Sequence, residues 1–381
     1  MRVYLDNAAT TALDPEVFEA MKPYYLDLYG NPSSIHTHGR QAKAAIEKSR
    51  RQIADYLQAA PSEIFFTSGG TEADNAALKC AVATKNIKHA ITSKVEHHAV
   101  LHTLETLEKN GAIELSFVHL DEKGHADLNH LEEWLKQHPN ALVSLMHANN
   151  EIGNLLDMEK VGAMCEEYGA VFHSDTVQAV GHYEHDLSKI KVHSMVGAAH
   201  KFHGPKGVGF LYLNNEHNIA PFIEGGSQER NMRGGTENVA GIVGLAKACE
   251  LAYEHMDQHR QHIEGLKKHM IERLLEYVED VAFNGDSANL EKSLYTVLNV
   301  CLPPSEENEM LLFSLDINKV SASGGSACSS GSNVGSHVLA ALDRDPNRAA
   351  IRFSFSKFNT IEDIDFAVER LAEIVGEKHL A

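Results

Sequence analysis

The chain has 381 residues, 43% of them hydrophobic, enough to bury a large core and more than one compact unit usually holds. Its 34 Lys and Arg against 53 Asp and Glu give a formal net charge of −19, which repels a phosphate backbone and an anionic membrane surface and argues against direct nucleic-acid binding. No apolar run approaches membrane-spanning length and the first residues, Met-Arg-Val-Tyr-Leu-Asp-Asn, lack the apolar stretch of a secretory signal, so no membrane partner and a cytoplasmic location are expected.

In chain order, short apolar or β-rich runs at 64–66, 90–93, 112–119, 141–147, 170–173, 194–197 and 208–213 read as strands, with helical patterns between several of them. That alternation predicts an α/β domain with a mostly parallel sheet. Asp157 is placed to cap a helix with apolar positions at Val161, Met164, Cys165 and Tyr168, and Gly169 to end it, so the next strand delivers Asp175 just past its end. After about residue 252 the pattern changes to a long charged helix, a strand at 294–301, a helix from 305, a strand at 351–355 and a helix from Thr360 with Asp363 as a capping-box acid. This predicts a second, α+β domain, with the long helix as the boundary.

Several strand ends carry candidate chemistry. Ser68-Gly69-Gly70-Thr71-Glu72-Ala73 follows a strand and opens a helix, where glycines let backbone N–H groups approach an anion and Thr71 adds a hydroxyl; a plain helix cap is the commoner outcome for such a turn alone. Asp175, in Ser-Asp-Thr-Val-Gln, could keep a pyridine nitrogen protonated while Gln178 bonds the ring's phenolic oxygen, or it could merely cap a turn. Lys201, in Ala-Ala-His-Lys-Phe-His-Gly-Pro-Lys-Gly from Ala198, lies one strand further on and offers a Schiff-base amine. A phosphate turn, a strand-end acid and a strand-end lysine are the three anchors that pyridoxal 5'-phosphate requires.

Other residues fit around that set. His98, shortly after the strand at 90–93, could stack on the ring and shuttle protons, with His97 assigned a surface or capping role. Asn150 follows a strand, where its amide could bond the ring oxygen or a substrate, and Arg352 lies on the polar side of an alternating strand, where it could grip a carboxylate or be solvated. The five cysteines lack CxxC spacing, so neither disulfides nor a zinc site is indicated, and the clustered histidines have no thiolate or carboxylate set at ligand spacing, so no metal is expected. Cys80, Cys165, Cys249 and Cys301 have apolar surroundings in sequence; Cys328 alone sits in a Gly/Ser loop with no apolar face. A Schiff-base lysine together with a nucleophilic sulfur points to sulfur transfer on pyridoxal phosphate.

These residues lie in a series of motifs through which the whole chain resembles the cysteine desulfurases of the class V aminotransferase family. The motifs are Tyr-Leu-Asp-Asn-Ala-Ala-Thr-Thr from Tyr4, Gly-Asn-Pro-Ser-Ser-Ile-His from Gly30, Thr-Ser-Gly-Gly-Thr-Glu from Thr67, Glu-His-His-Ala-Val from Glu96, Asn-Asn-Glu-Ile-Gly from Asn149, Asp-Thr-Val-Gln from Asp175, His-Lys-Phe-His-Gly-Pro-Lys-Gly from His200, Arg-Gly-Gly-Thr-Glu-Asn from Arg233 and Gly-Ser-Ala-Cys-Ser from Gly325. The resemblance implies the pyridoxal-phosphate transferase fold type I, with a large cofactor domain at 14–252 and a small α+β domain formed by 1–13 and 253–381. It implies conversion of L-cysteine to L-alanine, with the sulfur passing to Cys328 as a persulfide and then to a protein acceptor in iron–sulfur cluster or other sulfur-compound biosynthesis; a selenocysteine lyase or a class V aminotransferase is the alternative.

By the same resemblance Lys201 carries the cofactor and moves the Cα proton, and Asp175 keeps the ring cationic. Gly70, Thr71, Asn150, Gln178 and His200 join the cofactor contacts, and His98 stacks on the ring. Arg352 and Asn31 grip the substrate carboxylate, and Thr236 reaches the phosphate of a neighbouring subunit, which makes a homodimer part of the site. Four positions depart from the pattern: Ala198 replaces the usual Ser or Thr three residues before the lysine, Ser227 replaces a glycine, and Gly70 and Asp74 alter the phosphate-turn helix. Ala198 implies weaker cofactor retention, to be tested by Ala198→Ser.

Overall fold

The protein is described from a computed structural model covering residues 1–305, 310–324, 335–342, 344–345 and 347–376. The strands in chain order are β1 Val3–Tyr4, β2 Ile64–Thr67, β3 His89–Thr92, β4 Glu114–Phe117, β5 Leu142–Ser144, β6 Val171–Asp175, β7 Ser194–Ala198, β8 Gly209–Leu213, β9 Ala282–Phe283, β10 Val297–Pro304, β11 Val320–Ser321 and β12 Arg348–Ser354. Seven of them form the central sheet in the order β2-β8-β7-β6-β5-β3-β4.

The pairs β3–β4, β3–β5, β5–β6 and β6–β7 are parallel, while β8 runs antiparallel to both β7 and β2. The antiparallel step follows from chain length, because only 199–208 join β7 to β8, too few residues for a crossover. Parallel strands covered on both faces need continuous apolar character, and β3, β5, β7 and β8 are buried at every position.

The connection into β6 forms as the sequence predicts. Asp157 accepts a hydrogen bond from the N–H of Lys160, the helix Met158–Glu167 buries Val161 and Cys165, and Gly169 takes φ +66 to turn the chain back into β6. In parallel α/β sheets, ligands gather beyond the carboxyl ends of the strands, and β6 and β7 both end there, at Asp175 and Ala198.

The charged helix predicted after residue 252 is Met256–Tyr277, separated at His255 from the apolar helix Val239–Glu254. Beyond them β9, β10 and β12 form an antiparallel sheet, with the ends of β10 and β12 one to three residues from those predicted. The helix Ile361–Val375 packs on Met256–Tyr277 and begins with the expected capping box between Thr360 and Asp363. The chain's first residues return to this region: β1 pairs with β11, and Val3 and Leu5 share a core with Ile263, Leu298, Phe353 and Leu371. A separate core, with Val17, Ile53, Phe172 and Leu245, lies on one face of the large sheet.

Candidate active site

At the carboxyl ends of β6 and β7 lies a cavity of about 190 Å³, lined among others by Gly70, Thr71, Asp74, His97, Asn150, Asp175, Gln178, His200, Lys201 and Arg352. Asp175 is 5% exposed, and its Oδ1 accepts the N–H of Val177 at 2.9 Å, which fixes the carboxylate where the strand stops. Lys201 follows β7 on a single 3-10 turn, and its Nζ donates to the carbonyls of Ala8 and Ala9 at 2.7 and 2.9 Å. Gln178 Nε2 donates to the same Ala8 carbonyl at 2.9 Å. The N-terminal segment thus crosses the cavity through main-chain carbonyls, a contribution that side-chain reasoning had no means to detect.

One end of the cavity is built for an anion. Gly69 has φ +155 and ψ −177, a conformation open to glycine alone, and it turns the chain into the helix Gly70–Lys85, whose first N–H groups lack helical partners. Gly70 has its own reason: a Cβ there would lie 2.7 Å from Cγ2 of Val177, so the missing side chain makes room for the valine. Thr71 lines the same end, and so does His200, whose Nδ1 is 3.2 Å from Thr10 Oγ1. Burial, reinforced by Lys201 and Lys206, lowers the His200 pKa to about 4, so its imidazole is neutral. Ala198 is buried in this wall with only a methyl group to offer.

Arg352 closes the other end. Only 1% exposed, it pairs with Asp6 at 2.8 Å through Nη2 and donates from Nη1 to the Asn150 carbonyl at 2.9 Å, while its Nε has no partner among the described residues. The alternation in β12 predicted a polar face; what the structure adds is that this face is buried against the cavity rather than solvated.

The histidines sort differently from the sequence reading. His97, not His98, lines the cavity. His97 is the extended N-cap of the helix His98–Lys109, and its Nδ1 accepts the N–H of Ala99 at 3.1 Å, so it caps and faces the cavity at once. His98 is already helical and turns away to stack on His102 and to meet His337 at a tilt, with ring centroids at 4.6 and 4.3 Å. The fold also assembles a set that spacing did not reveal: ligand-type atoms of Asp74, His97 and Asp175 lie within 4.8 Å of one another.

Besides His98, two predicted residues stand outside this cavity. Asn31 is exposed, with its Oδ1 taken by the N–H of Ser33 at 2.9 Å. Thr236 is exposed on a loop tied to the phosphate-turn helix by Arg233, which pairs with Glu72 at 2.9 Å. Cys328 lies outside the described residues, while Cys80, Cys165, Cys249 and Cys301 are buried. Burial raises the thiol pKa of both Cys165 and Cys249 to about 12, which makes them inert.

A strand-end carboxylate, a lysine amine and a glycine turn at a helix start, all facing one cavity on a mostly parallel sheet, define a pyridoxal-phosphate enzyme of fold type I. Residues 3–366 match the Aminotransferase class-V family, to which the chain belongs. Within that family it is 44% identical over 378 residues to a protein named cysteine desulfurase IscS from Dictyoglomus turgidum, covering 98% of this chain and 94% of the relative. A cysteine desulfurase from a Nostoc species is 42% identical over 376 residues, covering 98% and 92%. Among solved structures, a NifS-like protein superposes with a TM-score of 0.89 at 37% identity over 98% of this chain and 99% of that one. A cysteine desulfurase from Thermococcus onnurineus, titled as an apo structure, gives 0.87 at 26% identity over 98% and 94%.

Proposed function

We propose that the protein is a pyridoxal-phosphate-dependent cysteine desulfurase that takes sulfur from L-cysteine and releases L-alanine. The observation that carries the reading is the convergence of Lys201 and Asp175, from adjacent strand ends, on one cavity whose far wall is the Gly69-Gly70-Thr71 turn. Bound there, the cofactor supplies an electron sink for the bonds broken at the substrate Cα and Cβ.

The chain's own residues do the rest. The helix start at Gly70 and Thr71, with His200 beside it, takes the phosphate; Asp175 faces the ring nitrogen and Gln178 the phenolic oxygen. Lys201 would hold the cofactor through its aldehyde, and its amine is placed to move the proton at the substrate Cα. His97 covers the ring face in place of His98, and Asn150 stands beside the ring. Arg352 offers a guanidinium that can hold the substrate carboxylate through two parallel hydrogen bonds once Asp6 gives way. The Cys328 thiolate would attack the sulfur while it is still bound to the substrate, the S–S bond forming as the Cβ–S bond breaks and leaves its electron pair on carbon, which is protonated on the way to alanine; the persulfide is then held for a protein acceptor.

Asn31 and Thr236 lie outside the cavity of their own chain, so their contacts to carboxylate and phosphate are made across a homodimer. Exposed Phe18, Tyr25, Leu26, Tyr29 and Ile35, clustered around Asn31 in sequence, offer an apolar surface for that contact. Among the described residues no helix is long and apolar enough to cross a membrane, and we place the enzyme in the cytoplasm.

The test is L-cysteine added to purified protein, with visible absorbance followed, alanine quantified and mass spectrometry used to find extra sulfur. Wild type should form alanine and a persulfide on Cys328. Cys328→Ser should retain the visible band and its shift with cysteine but lose sulfur transfer, and Lys201→Ala should lose the band. Alanine without sulfur on Cys328 would refute the route.

A further inference from the structure

One charged group in the cavity has no part in the chemistry above. Asp74 lies one turn after Gly70 in the helix Gly70–Lys85, is 1% exposed, and lines the cavity beside Asp175. Behind it stands His173, two residues before Asp175 and so on the same face of β6, the face that this helix covers. The Asp74 Oδ1 is 3.3 Å from His173 Nε2, and His173 Nδ1 is 2.9 Å from Ser144 Oγ. The Ser144 hydroxyl and His173 Nδ1 are within hydrogen-bond distance, whereas Asp74 Oδ1 and His173 Nε2, though close, are not aligned as a hydrogen bond, and neither atom has another partner among the described residues. Burial lowers the His173 pKa to about 3, so this imidazole is neutral and brings no cation to the pair.

Two buried carboxyls this close cannot both ionise without a counter-charge. The groups facing Asp74 are Asp175 and His173 from β6 and Glu96 and His97 from the turn before the next helix, with Lys201 across the cavity. We infer that Asp74 is the proton-bearing partner of Asp175, a positioning residue that leaves Asp175 as the only anion offered to the ring nitrogen. This rests on the reading of the cavity as the pyridoxal-phosphate site. Burial first, then Asp175 and Glu96, push the Asp74 pKa well above the ordinary carboxyl value.

The consequence for stability has a definite sign. The unfolded chain loses the Asp74 proton near about pH 3.9, whereas the folded, cofactor-free protein keeps it to higher pH. The folded state then binds the extra proton, so its stability is fully present below about pH 3.9 and falls as pH rises toward the elevated pKa. Glu96, raised by burial and by Asp175, adds a slope of the same sign. His97 and His173 are lowered, which gives the opposite slope below about pH 6.5, and comparing variants cancels their share.

Urea denaturation of cofactor-free protein from about pH 5 to about pH 9 reads this directly. Asp74→Asn keeps the shape of the side chain but has no proton to lose. Its unfolding equilibrium should be less pH-dependent than that of wild type by up to about tenfold per pH unit, the effect of one proton. Its cofactor dissociation constant at about pH 7 should stay within about fivefold of wild type. Glu96→Gln should retain the Asp74 share of the slope. An unchanged slope in Asp74→Asn, or cofactor binding weakened by more than about fivefold, would mean that Asp74 is an anion or inert, and would overturn the inference. If wild type takes up no cofactor, the reading of the cavity fails, while the slope difference in cofactor-free protein still reports on the carboxyl pair.

Discussion

Position 97 is where a neighbour in sequence competes with a neighbour in space. Two histidines stand side by side, and nothing in Glu-His-His-Ala-Val distinguishes them. The backbone does: His97 has the extended φ −64 and ψ 148 of an N-cap, whereas His98 begins the helix and follows its spiral toward His102. Burial, then His337, His102 and His97, lower the His98 pKa to about 4, but of those neighbours only His97 faces the cavity. His97→Ala should therefore lower the rate of alanine formation by about 10²-fold or more, the scale of a lost acid–base group, and His98→Ala by far less. Equal losses in steady-state assays would return the role to both residues.

At the scale of elements, the phosphate turn and the loop after β6 are fitted to each other. Gly70 reads in sequence as a departure, and its cause is Val177, which fills the volume a Cβ would need. Gly70→Ala alone should destabilise the protein by about 1–3 kcal/mol through overpacking and weaken cofactor retention. Adding Val177→Ala should restore most of both; thermal denaturation of the single and double variants measures the coupling, and additive losses would refute it. The loop that carries Thr236 is anchored in a comparable way. Arg50, 1% exposed, makes two hydrogen bonds to Glu229 at 2.7 and 2.8 Å, and Glu229 also accepts the N–H of Phe66. Glu229 and Arg230 are held at φ 42 and 55, a left-handed turn unusual outside glycine that this buried pair sustains.

For the whole molecule, the exposure of Asn31 and Thr236 is the feature that one chain leaves unexplained. In a homodimer both would complete the neighbouring site, and the apolar side chains from Phe18 to Ile35 would be covered. Sedimentation should give a species of twice the chain mass. Leu26→Asp with Tyr29→Asp should shift it to monomer and weaken cofactor retention; a monomeric wild type with full activity would exclude the shared site.

The sequence by itself determined the alternating pattern, the caps at Asp157 and Thr360, the strand ends carrying Asp175 and Lys201, and the motifs that mark the family. These rest on periodicity, on local hydrogen bonding and on residue types whose chemistry is the same in any fold. Tertiary structure alone decided which of two adjacent imidazoles faces the cavity, that β8 runs antiparallel, that Arg352 is buried against Asp6, and that Ala8 and Ala9 meet Lys201 through their carbonyls. It also brought Asp74 on a helix to His173 and Asp175 on a strand about a hundred residues away. Such contacts depend on register and packing between distant segments and on main-chain atoms common to every residue, so no local pattern records them.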